Sequence, residues 1–113
     1  MAKDDYHVIV YKVLAYLYVQ LKNGQDVDAG CLTHDGLLFR INQRYWAYIM
    51  ANLLRQGLIE GISITRPWGG ETVVTNLEAC QITPAGIEYL CDNSFIEKAK
   101  SFLKEIKEIT PFI

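Results

Sequence analysis

The side chains with the most telling chemistry in this sequence are arginines and amides, not nucleophiles or metal ligands. Gln43, Arg44, Asn52 and Arg55 lie between residues 43 and 55 with Tyr48 among them, and Arg66 stands beside Pro67-Trp68-Gly69-Gly70. A guanidinium pairs with phosphate oxygens or the edge of guanine, and an amide side chain pairs with the edge of adenine. Tyr48 and Trp68 add rings able to stack or hydrogen-bond at an interface. These are the candidate DNA-contacting residues, and each has a plainer alternative. The polar residues of 43–55 also fit an ordinary wet helix face, Tyr48 fits burial against an earlier helix, and Trp68 fits a ring folded back over a sheet.

Catalysis and metal chemistry find less support. Cys31 and His34 stand three residues apart, but Cys80 and Cys91 lack metal-motif spacing and His7 is remote in sequence, so no structural zinc is expected. Pro67-Trp68-Gly69-Gly70 lacks the lysine-serine/threonine ending and the strand-to-helix setting of a phosphate-binding loop. A turn accounts for its glycines. Glu88 and Asp92, four apart, share a helical side as carboxylates commonly do on solvated helices, and no serine, histidine and acid set stands out. The expectation is a non-enzyme with no catalytic residue, no metal and no cofactor, in which Cys80 and Cys91 are core residues.

The 113 residues amount to one domain, 50% of them apolar or aromatic, which supplies a core and argues against global disorder. A formal charge of -2 opposes a generally polybasic, nucleic-acid-coating protein but leaves room for a basic face. Residues 34–70 carry Arg40, Arg44, Arg55 and Arg66 against Asp35 and Glu60, a local excess of two positive charges. Three cysteines without a close-spaced pair read as reduced intracellular thiols. The apolar stretch from Val8 to Val19 is broken by Lys12 and falls short of the roughly 20 residues of a membrane span. It has neither the flanking charge nor the cleavage signal of a secretory leader. A cytoplasmic protein is expected.

Which elements position the candidates follows from periodicity and capping. Tyr6 to Leu21 reads as a helix, with Val10, Leu14, Leu17 and Leu21 on one stripe and Tyr11, Ala15 and Tyr18 on another apolar side. Asn23 to Gly30 reads as a loop, and Thr33 as the cap of a short helix over His34 to Phe39. Asn42 caps the next helix, which runs to about Gln56 with Gly57 beyond it and Trp46, Ile49, Met50, Leu53 and Leu54 toward the core. From Leu58 to Thr75 the period shortens to that of strands around the glycine tip, predicting a hairpin, and a further short strand reaches Ile82. Thr83 and Pro84 then open a helix that reaches about Cys91. The last helix is expected over Ser94 to Ile109, apolar at Ile96, Ala99, Leu103 and Ile106 and lysine-rich on its other side.

The implied fold is mainly α with a small antiparallel β hairpin: a winged helix-turn-helix plus a C-terminal helix. Residues 1–93 form the core, and 94–113 carry the helix that packs on it or serves dimerisation. A homodimer through Tyr6 to Leu21 and Ser94 to Ile109 gives one reason for a first helix that is apolar on several sides.

The early helix around Tyr11 to Tyr18, "YWAYIMANLLRQGLIEGI" at Tyr45 to Ile62, "QITPAGIEYLCDN" at Gln81 to Asn93 and the lysine-rich end together resemble the YjcQ-like family of small bacterial and prophage-encoded proteins. Gly57 and Leu58, then Thr83, Gly86, Tyr89 and Leu90, are the matching positions, while the longer wing around Trp68 departs from the family. The resemblance implies a winged-helix fold and association with phage-derived genes, and it brings no catalytic residues. The expected function is non-catalytic binding of duplex DNA by a transcriptional regulator, with the polar face of 43–55 at the major groove and Arg66 at the backbone or minor groove. The alternative is an adaptor that uses the same scaffold to hold a phage-derived protein. Arg44, Arg55 and Arg66 gathered on one exposed face favour DNA; their dispersal around an apolar patch favours a protein partner.

Overall fold

The computed structural model describes residues 5–91, and the helix expected over 94–109 lies outside them. In chain order the described elements are α1 (Asp5–Lys22), α2 (Ala29–Leu32), α3 (Gln43–Arg55), β1 (Ile59–Glu60), β2 (Ser63–Thr65), β3 (Val73–Thr75), β4 (Gln81–Ile82) and α4 (Pro84–Leu90). The chain is mainly helical with short antiparallel strand pairs, the class expected from its periodicity. No helix among the described residues is long and apolar enough to cross a membrane.

Helix α1 runs through the middle of the core. Val10, Val13, Leu14 and Leu17 are fully or almost fully buried, and the helix packs on β4, α4 and α3. Its several apolar sides are thus occupied within the chain, with Leu21 exposed near its end. Lys12, the residue that breaks the apolar run, is itself only 4% exposed. Its ammonium donates to the Leu38 carbonyl at 2.6 Å, which draws the loop ahead of α3 onto α1, because a buried ammonium requires acceptors.

The short helix expected over 34–39 does not form there. α2 lies earlier, and Thr33 ends it instead of starting one. Asp28 takes the capping role: its Oδ1 accepts the Gly30 N–H at 2.9 Å, while its own N–H donates to the Tyr16 hydroxyl at 2.9 Å. The following residues close as a loop, with the Ile41 N–H donating to the His34 carbonyl at 2.8 Å. From α3, the Trp46 indole N–H donates to the Leu32 carbonyl at 2.7 Å and pins that loop in place.

Asn42 caps α3 as its sequence predicts, its Oδ1 accepting from the N–H groups of Arg44 at 2.8 Å and Tyr45 at 3.3 Å. Trp46, Ile49, Met50 and Leu53 are buried as the spacing requires. Leu54 is half-buried, and Ala47, expected on another side, joins the core because its methyl group is short enough to sit at the margin of the apolar stripe.

Of the hairpin expected over 58–75, β2 and β3 pair with each other, Ile64 opposite Val74. β1 pairs instead with β4, Ile59 opposite Ile82 and Glu60 opposite Gln81. The hairpin, or wing, therefore hangs from a two-residue ladder that forms its neck. Gly61 closes the neck: its φ is +99°, and a Cβ there would overlap the Ala79 carbonyl oxygen, so glycine alone fits. At the start of α4, the Thr83 hydroxyl accepts the Gly86 N–H at 3.0 Å and donates to the Gly57 carbonyl. The Thr83 N–H also donates to the Leu58 carbonyl at 3.1 Å. This clasp ties the corner to the end of α3, so the two most distinctive sequence segments are halves of one structure.

Cys31 and Cys80 are buried, but Cys91 is exposed at the end of α4 and is not the core residue expected. Burial pushes the Cys80 thiol from an ordinary 9.0 up to about 12. Between those values the unfolded chain has released this proton while the folded chain retains it, so stability falls as pH rises through the window. Below pH 9 the group adds no pH dependence. Burial raises Tyr11, Tyr16 and Cys31 in the same direction. Urea melts across this alkaline range are expected to lose up to roughly 4 kcal/mol to Cys80, and Cys80→Ala should flatten the decline.

Candidate nucleic-acid interface

The Asn42 cap and the Trp46 anchor fix the rotation of α3, and β3 packs against the same helix. Between α3 and the wing lies an open groove of about 570 Å³. Gln43, Arg44, Tyr48, Asn52 and Arg55 line it from the helix, and Arg66 from the wing. Every candidate except Trp68 therefore converges on one concavity, although Arg66 is separated from the others by the whole of β1 and β2.

Arg44, Arg55 and Arg66 are exposed there, opposed within the lining by the single carboxylate of Glu71. Tyr48 is 61% exposed, so it presents its ring to the groove and is not packed beneath the helix. Asn52 is half-buried and already engaged: its Nδ2 donates to the Tyr48 carbonyl at 2.8 Å, and its Oδ1 accepts from Arg55 Nη1 at 2.9 Å. Each amide end that would read adenine thus already carries one hydrogen bond, and the role this geometry gives Asn52 is to hold the Arg55 guanidinium, which keeps further donors for a ligand. Arg40, part of the local basic excess, is exposed on the loop before α3 and outside the groove lining.

Trp68 neither lines the groove nor folds back over the strands. Its side chain is fully exposed, and its backbone is left-handed at φ 57° and ψ 25°. The tip closes through the Gly69 N–H to the Arg66 carbonyl at 3.2 Å and the Gly70 N–H to the Pro67 carbonyl at 2.9 Å. For a bulky L-residue this conformation costs about 1–2 kcal/mol, and no burial of the ring offsets it.

Sequence reasoning missed the floor and far wall. Ala47 and Ala51 make the floor low, and Gly69, Gly70, Glu71 and Thr72 complete the wing side. The signal for the floor was present, since small residues four apart between long polar ones leave a trough on a helix. Placing Glu71 required the pairing register of the wing, which is not a local property. His34 Nδ1 meets the Ile41 carbonyl at 3.2 Å, and among the described residues no group of three His, Cys, Asp or Glu side chains is arranged to hold a metal.

No curated protein and no solved structure matches this chain. A family model described as "YjcQ protein" matches residues 11–109, a span that takes in the groove, the neck and the Thr83 clasp. The chain belongs to the YjcQ family.

Proposed function

We propose that this protein is a winged helix-turn-helix that binds duplex DNA without catalysis, acting in the cytoplasm as a transcriptional regulator of phage-derived genes. α3 is the recognition helix and β2–β3 the wing. The supporting observation is the convergence of Arg44, Arg55 and Arg66 on a single exposed groove. Guanidinium groups spread along about three turns of a helix and onto a neighbouring hairpin suit phosphates on either side of a major groove, with Gln43 at the helix start reaching base edges. Although the whole chain is acidic at -2, charge acts locally within a Debye length of about 8 Å at physiological salt.

A competing reading, the protein-binding adaptor, draws on the exposure of Tyr48 and Trp68, because exposed aromatics are common anchors of protein interfaces. Binding of the purified protein to DNA fragments flanking its own gene, titrated with salt, separates the two. The DNA reading expects sequence-selective affinity that falls with salt and weakens about tenfold in Arg44→Ala or Arg55→Ala. Absence of binding at low salt by the natively folded protein would overturn it and leave the adaptor.

A further inference from the structure

We infer that the wing tip carries a stacking site for an unpaired nucleobase, with Trp68 as its platform, so that the favoured nucleic acid is a duplex bordered by an unstacked or single-stranded base. This rests on the reading of the groove as a duplex-binding surface. Trp68 is the large apolar side chain that the fold explains least. It is the most exposed of the large hydrophobic residues among those described, and it sits in left-handed backbone where glycine or asparagine fits without strain. An aromatic ring held in water at such a position contributes nothing to the core, and its cost persists where the strained conformation serves contact.

Its surroundings select the kind of contact. The chain around the ring is Arg66, Pro67, Gly69 and Gly70, not the fence of apolar side chains that desolvates an aromatic anchor at a protein interface. Arg66, Gly69 and Gly70 line the groove while Trp68 does not, so the ring stands outside the surface the arginines offer to phosphates. A nucleobase inside a continuous duplex shows only its edges to a groove. The π face of a single base becomes available where that base is unpaired, at a bulge, an overhang or a fork, and an indole covers that face irrespective of sequence. With phosphates held by Arg44, Arg55 and Arg66, the tip would meet the next base beyond the paired segment, and the wing's reach along the strand sets where the duplex must stop.

The test compares three labelled DNAs of one sequence, a blunt duplex, the same duplex with an unpaired arm, and the single strand, by fluorescence anisotropy with the full chain. The forked duplex is expected to bind about tenfold more tightly than the blunt one. Trp68→Asn, which suits the left-handed backbone and removes no buried contact, should erase that preference while leaving affinity for the blunt duplex unchanged, and Trp68→Phe should restore most of it. The part of the tryptophan emission absent from Trp68→Phe should be quenched by the fork and not by the blunt duplex; Trp46, buried against the Leu32 carbonyl, supplies the constant background. Equal affinity of wild type and Trp68→Asn for the fork, or an unquenched Trp68 signal, overturns the stacking site. If the blunt duplex still binds in an Arg44- and Arg55-dependent manner, the groove survives that result. Failure to bind all three DNAs overturns both.

Discussion

Gly86→Ala is expected to lower the melting temperature by about 10–20 °C, against the direction that helix propensity alone dictates. Alanine in place of glycine within a helix favours folding by about 1 kcal/mol. At Gly86, however, the added methyl group would overlap the Leu58 carbonyl oxygen and lie 2.7 Å from Ile82 Cγ1. Neither neighbour yields cheaply. The Leu58 carbonyl accepts the Thr83 N–H, and Ile82 is buried in the β1–β4 ladder. Moving α4 away loosens the Thr83 clasp, so overpacking and lost hydrogen bonds together cost roughly 3–4 kcal/mol. The net loss of about 2–3 kcal/mol corresponds to the stated shift for a domain of this size. Thermal denaturation followed by circular dichroism decides the matter: a raised melting temperature means that propensity wins and the close approach is unimportant. Ala85→Ser, at the exposed neighbouring position, is the control and should change stability by less than about 0.5 kcal/mol.

Arg44→Ala combined with Arg55→Ala should weaken binding to duplex DNA about a hundredfold and reduce the slope of log affinity against log salt by about 2. These arginines stand eleven residues apart along α3 and share no hydrogen-bond partner in the structure, so their effects should add. Arg40→Ala supplies the charge-matched control, because Arg40 is exposed outside the groove lining and its loss should change affinity by no more than about twofold if the groove, and not net charge, carries binding. Asn52→Ala should fall between the two, since it frees Arg55 from its 2.9 Å hydrogen bond without removing the guanidinium. Equal losses in Arg40→Ala and Arg44→Ala would reassign the interaction to diffuse electrostatics.

Much of this arrangement was legible in the sequence wherever the deciding chemistry is local. Asn42 and Thr83 cap helices through N–H groups two or three residues away, and the Trp46-to-Leu53 stripe states which face of α3 is covered. The misplaced short helix shows where local signals compete. Asp28 and Thr33 are both competent caps, and the contest is settled by Tyr16, whose hydroxyl receives the Asp28 N–H from a different element. Lys12 appears in sequence as an interruption, whereas its ammonium reaches a carbonyl 26 residues away. Five of the groove residues share one helix face and were readable from spacing, but the approach of Glu71 and Thr72 depends on strand register and on the neck. Cys91 was misread because helical periodicity alone does not state whether a residue at the last turn is covered, and at the end of α4 it is exposed.

The neck divides the chain into a part that tolerates change and a part that does not. With Ile59–Ile82 and Glu60–Gln81 paired, residues 61–80 form a loop whose ends are already joined. The entropy of closing such a loop grows only logarithmically, about 0.6 kcal/mol for each doubling of length. A longer, shorter or different tip therefore carries little closure penalty, whereas at Gly61 in the neck and Gly86 in the corner even an added methyl group meets a backbone carbonyl oxygen. If the groove binds DNA as proposed, a scaffold built this way lets that surface diversify independently of its folding, and the wing is where new specificities would arise first.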